Sequence, residues 1–267
     1  VALIAASLST SGAIRSENGN LMLAAGQTVE LVDLATPALR YQVSAPENTV
    51  VNLGDMLVQN GAAAMFGHTL QQQGKVSALQ AERGEGGSIV LRATDINVGR
   101  NAELHADAAG QGKGGRVEVI ASNTASVHGQ LTARGGSQGG DGGFVETSGK
   151  QVQLDGINVD TRAAQGKTGQ WLIDPTDLVI AASGGNISGA ALSAQLQQNN
   201  VSLQTDSAGS DDGNIVVNDT VSWSADTELN LSAHNDITIN SQMTASGNAT
   251  LDFTAGNDIA INQRVSV

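Results

Sequence analysis

The chain has 267 residues, a formal net charge of −13, three prolines, 33 glycines and no cysteine. That length allows a large core, while so little proline excludes a collagen or a proline-rich linker, and the lack of cysteine excludes disulfide stapling. From Thr168 onward eleven acidic residues face a single basic one, Arg264, a balance that repels phosphate backbones and anionic lipid headgroups.

The first residues, Val1-Ala-Leu-Ile-Ala-Ala, read as a strand. They carry no basic flank, so they are not a signal peptide, and no later run approaches the roughly 20 apolar residues of a membrane span. The chain is expected to begin and end inside a longer protein. Asn20-Leu-Met-Leu-Ala-Ala-Gly26-Gln-Thr-Val-Glu-Leu31 reads as strand, turn, strand. Residues 32–56 interrupt that rhythm with Asp33-Leu-Ala-Thr-Pro37 and Ser44-Ala-Pro46, which is loop chemistry. They predict an excursion or small hairpin off the main body.

Next comes the strongest pattern. Gly86-Gly87, Gly114-Gly115 and Gly142-Gly143 each precede a short apolar run, at steps of 28 residues, and Gly169-Gln170-Trp171-Leu172 follows 27 after Gly142. A repeat of this length is a unit that buries its apolar face by stacking on its neighbours. Each unit divides into short strands, 88–93, 96–98 and 102–106 in one copy, closed by a glycine-rich loop. That is one coil of a parallel β-helix. Ile89, Val117, Val145 and Leu172 are expected in one inward column.

Trp171-Leu-Ile-Asp-Pro175 marks a boundary, with Pro175 ending its strand. Ser188 to Asn200 is rich in Ala and Gln and spaces Leu192 and Leu196 four apart, so it predicts a helix over 189–198 with Ser188 as N-cap. The strand pattern then resumes as Leu229 to Asn240 and again, 22 residues on, as Leu251 to Asn262, with apolar residues alternating inward. The predicted fold is therefore all-β, a right-handed parallel β-helix with one short helix near 189–198. It divides into a shaft over 1–175 and a continuation over 176–267.

Several motifs carry chemistry in other proteins. Gly110-Gln-Gly-Lys-Gly-Gly115 satisfies G-x-G-x-x-G, but a dinucleotide site needs it between a strand and a helix, and here strands flank it. Gly135-Gly-Ser137-Gln-Gly139 satisfies G-x-S-x-G inside a continuing glycine run, without the turn of a nucleophile elbow. The 139–143 segment, or Asp206 with Asp211 and Asp212, offers acids for a structural calcium, yet such clusters are ordinary exposed turns. His68, His105, His128 and His234 lack zinc spacing. Acids such as Glu118, Asp141, Glu146, Asp155 and Asp160 are scattered and Phe144 is the one aromatic of its repeats. A polysaccharide-cleaving enzyme would cluster carboxylates beside aromatic platforms. No catalytic site, cofactor or metal is expected. Every Asn-x-Ser/Thr sequon lies in the last third, at Asn186, Asn200, Asn218, Asn230 and Asn248, and these are the candidate glycosylation sites. Alternation predicts that Asn218, Asn230 and Asn248 face solvent.

Five segments carry a resemblance: Leu23-Ala-Ala-Gly26, Ala45-Pro-Glu-Asn-Thr-Val-Val-Asn-Leu-Gly54, Gly74-Lys-Val-Ser-Ala78, Gly142-Gly-Phe-Val-Glu-Thr-Ser-Gly149 and Trp171-Leu-Ile-Asp-Pro175. In this order they resemble the filamentous-haemagglutinin-like exoproteins of bacterial two-partner secretion, nearest the high-molecular-weight adhesin type. The resemblance implies a secreted or surface-tethered monomeric fibre, exported through an outer-membrane transporter, with the secretion module mostly or wholly missing from this chain. It also implies that some members carry sugar on asparagine sequons. Three functions compete. The first is an adhesin shaft that displays regions contacting a host-cell surface protein or glycan. The second is a capture surface for a host protein such as a haem carrier, built from 32–56 or the glycine loops. The third is a polysaccharide-processing enzyme. Nucleic acid and membrane insertion are excluded as partners by the charge.

Overall fold

A computed structural model describes residues 1–26, 28–31, 41–44, 48–80, 84–207 and 211–267. The chain winds into a parallel β-helix whose coils each contribute strands to three walls. The first wall is continuous. Ten strands follow one another in parallel pairing, from Ala2–Ala5 through Leu21–Ala25, Ala62–Phe66, the first halves of Ser88–Val98 and Arg116–Val127, Phe144–Gly149, Gln170–Pro175, Asn200–Gln204 and Glu228–Ala233 to Thr250–Ala255. At about 4.8 Å per rung the wall runs roughly 45 Å along the axis. The expected strands 88–93 and 96–98 are one strand, Ser88–Val98, bent by a register shift between Ala93 and Asp95.

Inward columns explain why Val, Ile, Leu and Ala dominate. Ile89, Val117, Val145, Trp171, Val201 and Leu229 pair rung to rung and are all buried. Trp171 therefore takes the place expected for Leu172. Phe144 pairs with Gln170, a step of 26 residues rather than 27, and Leu172 turns outward. A one-residue slip exchanges the two faces of a strand. The indole is fully buried, and its Nε1–H donates to Thr147 Oγ1 at 3.2 Å.

An excursion is present, but it starts before residue 32 and ends well short of 56. Thr28–Leu31 and Tyr41–Ser44 pair antiparallel as a hairpin, while Thr49–Asn52 and Asp55–Gln59 already belong to the second and third walls. Residues 32–40 and 45–47, including Pro37 and Pro46, lie outside the described residues. On the first wall, Met22, Ala24, Ala64 and Phe66 point out of the coil yet are buried as a second apolar cluster with Val90.

The third wall contains an unusual rung. Six parallel strands end at Asn158–Asp160, and three more begin at Val221–Trp223. Helix α1, Gly189–Gln195, lies between them. It is shorter than 189–198, and Ser188 Oγ caps it by accepting from Ala191 N–H. A helix cannot offer ladder hydrogen bonds sideways, so side chains supply them. Gln195 Oε1 accepts from Val159 N–H at 2.9 Å, and Asn199 Oδ1 accepts from Thr161 N–H at 2.8 Å. Asn199 Nδ2 donates back to Val159 O at 3.0 Å. On the far side Ser193 Oγ accepts from Ser222 N–H, and Thr227 Oγ1 donates to the Leu196 carbonyl. Leu192 and Leu196 fill the interior, both fully buried.

Candidate functional site

A long concavity grows from the glycine pairs. A Cβ on Gly115, Gly143 or Gly169 would strike the carbonyl oxygen of Gly87, Gly115 or Gly143 in the coil before. Only glycine lets successive coils approach so closely at this corner. The same glycines pinch the loops shut. Gly115 N–H donates to Ala106 O at 2.7 Å, Gly143 N–H to Ala133 O at 2.7 Å and Gly169 N–H to Thr161 O at 2.8 Å. Each loop then hydrogen-bonds to the next. Gly86 N–H reaches Lys113 O, Gly114 N–H reaches Asp141 O, and Gly142 N–H reaches Lys167 O, each at 2.9 Å. The loops at 107–114, 134–142 and 162–168 form a fin that projects from the corner between the third wall and the first.

A groove of about 950 Å³ runs between this fin and the outer face of the first wall. Its fin side carries Glu85, Lys113, Asp141 and Lys167 at equivalent places in successive coils. Its wall side carries the column Ser88, Arg116, Phe144, Gln170, Asn200 and Glu228. The Arg116 guanidinium stacks over Phe144, 4.1 Å from the ring centroid, and pairs with Glu118 and Glu146. One face of the only aromatic in these repeats is thus occupied by a cation. Asp141 Oδ1 accepts from Lys167 N–H at 2.9 Å, so this acid ties two loops together.

The motifs of other protein families take structural places. The glycine run at 110–115 joins the strands Glu103–His105 and Arg116–Val127, with no helix after it. His105 bridges Glu103 and Thr132, and His128 Nδ1 lies 2.6 Å from Asp155 O. Among the described residues no three His, Asp or Glu side chains are grouped to hold a metal ion. Asp174, on the outer face of the first wall, is half-buried, and no donor pairs with it among the described residues. Burial, together with the nearby carboxylates of Asp206 and Glu146, pushes its carboxyl up to about 6. It does not line the groove.

The five sequons divide by environment. Asn186 replaces a missing piece of ladder in the second wall: its Nδ2 donates to Val152 O at 2.8 Å and its Oδ1 accepts from Val179 N–H at 2.7 Å. Asn200 links coils in the same way, donating to Thr168 O and accepting from Glu228 N–H. Asn230 faces outward but is half-buried, with its Oδ1 enclosed and unpartnered. Asn218 and Asn248 are exposed. Asn218 begins a ladder, accepting from Asn240 Nδ2, while Asn240 accepts in turn from Asn262 Nδ2. A composition rich in Asn, Ser and Thr thus serves mainly to stitch adjacent coils. Alternation located the outward positions, but it gave no sign of which amides the neighbouring coil would occupy.

Neither models of known protein families nor curated proteins match this chain.

Proposed function

We propose that this chain is a shaft segment of a secreted bacterial surface adhesin of the two-partner type, holding ligand-contacting regions away from the cell. The observation that supports this reading most is the uninterrupted first wall. Ten rungs pair in sequence order without a break, across the excursion and across α1. A body built this way is a rod, stable through nearest-neighbour contacts and able to form coil by coil as a chain emerges from a pore. The biological setting, with its outer-membrane transporter and host-cell partner, rests on the sequence resemblance. The test is to delete the two coils 88–143 in frame from the full parent protein on its native cell. Shortening of the surface fibre with loss of host-cell attachment is expected. Unchanged attachment and unchanged fibre length would remove the shaft role.

A second reading, capture of a host protein, draws on the hairpin of Thr28–Leu31 and Tyr41–Ser44, an antiparallel pair that leaves the coil between its first and second walls. Its test is a pull-down from host serum with and without residues 28–44. The enzymatic reading draws less support, because Asp174, the carboxyl lifted toward neutrality, stands outside the groove.

A further inference from the structure

We infer that the groove between the loop fin and the first wall binds a neutral, extended polysaccharide laid parallel to the solenoid axis. This assignment goes beyond the shaft role and stands whatever the route of export.

Three observations select the ligand class. First, the groove spans six successive wall positions, from Ser88 to Glu228, which at about 4.8 Å per rung is roughly 24 Å. The rung spacing is close to the length of one pyranose ring. A straight chain therefore advances about one sugar per rung, and it meets paired fin and wall side chains over the four rungs from Ser88 to Gln170. Second, the charges on the fin alternate in sign: Glu85, Lys113, Asp141, Lys167. Alternation leaves no net field to draw in a polyanion or a polycation. It does present acceptors and donors in turn, which suits hydroxyl groups. Gln170 on the wall adds an uncharged amide with both a donor and an acceptor. Third, the backbone at the groove floor is already used. Gly86, Gly114 and Gly142 donate to the next loop, and the carbonyls of Gly87, Gly115 and Gly143 accept from Arg116, Phe144 and Gln170. An extended peptide binds such surfaces by adding main-chain hydrogen bonds, and none of these groups is free to receive it. A polysaccharide needs only the side chains.

The Phe144 ring does not act as an open stacking platform, since Arg116 covers one face. Recognition falls instead to the polar rows, so binding is weak per sugar and grows with chain length. β-1,4-linked chains suit the straight groove, whereas α-1,4-linked chains coil away from it.

The experiment is calorimetric titration of the 267-residue protein with cellohexaose and chitohexaose. Saturable one-to-one binding is expected with Kd of about 0.1–1 mM, weakening about tenfold for the trisaccharides. Gln170→Trp, which fills the groove from an exposed position, should weaken binding at least tenfold. Gln71→Trp, exposed on the second wall, should leave it unchanged. Lys113→Ala with Lys167→Ala is the second groove variant, and thermal melts establish that each variant is folded. The assignment is overturned by absence of binding from both hexasaccharides. It is equally overturned by affinity indifferent to length or to Gln170→Trp, or by tighter binding of maltohexaose, a heparin fragment or an extended peptide.

Discussion

Asp174 offers a direct measure of how the outer face of the first wall stores electrostatic strain. Its carboxyl is raised from an ordinary 3.8 to about 6 by burial and by the neighbouring carboxylates of Asp206 and Glu146. Each tenfold change in proton affinity is worth about 1.4 kcal/mol, so a rise of this size amounts to ~3 kcal/mol. The site is only half-buried and partly screened by solvent, which reduces the figure to about 1–2 kcal/mol. The sign follows from proton linkage. Between about pH 4 and pH 6 the folded protein holds this proton more tightly than the unfolded chain does, so stability falls as pH rises through that window. Above it the full penalty persists. Asp174→Asn removes the charge and should stabilise the protein by about 1–2 kcal/mol at pH 7, with nearly no effect at pH 4. Urea unfolding of parent and variant at both pH values, read as the difference between them, cancels the other titrating groups. Asp206→Asn should give a smaller gain in the same direction. An equal effect at pH 4 and pH 7, or destabilisation at pH 7, would show that the raised carboxyl is not a source of strain.

Three further outcomes are expected. Trp171→Ala should cost about 3–5 kcal/mol, since loss of a fully buried side chain leaves a cavity between the coils and orphans its Thr147 partner; limited proteolysis that releases two halves, each as stable as before, would mean that the two coil runs do not support one another there. Asn199→Ala, read by thermal melting, should cost more than an exposed Asn change such as Asn248→Ala, because it leaves Thr161 N–H and Val159 O unpaired in the interior, about 1–3 kcal/mol for such a group. If the protein is glycosylated in its native host, peptide mass mapping should find sugar at the exposed Asn218 or Asn248 and not at Asn186 or Asn200, whose Nδ2 groups already donate to neighbouring coils.

The β-helix was legible because glycine recurs at the corner where coils approach most closely, and Gly86, Gly114 and Gly142 report that contact directly. The slip at Trp171 arose where the loop shortens: the fourth copy keeps one glycine, and Gly169 aligns with Gly143 rather than Gly142. Alternation failed along Leu21–Ala25 and Ala62–Phe66, where both faces are buried and no polar residue marks the outside. The groove was not legible at all. Its walls depend on loops bonding to loops, as at Gly114 and Asp141, and no local pattern encodes which carbonyl a glycine N–H will find. The helix was readable from Leu192 and Leu196, but its place as a rung in the third wall was not, because the long-range partners of Gln195 and Asn199 lie more than 35 residues earlier.

The hydrogen bonds that join coil to coil in all three walls lie along the axis. Tension applied between the ends of such a rod therefore opens its ladders one rung at a time, like a zip, instead of shearing many at once. Each released coil yields a length of slack chain, so the load drops before the next rung is strained. Under flow the body would lengthen in small steps at nearly constant force, and the packed indole at Trp171 would be a point at which that unravelling stalls.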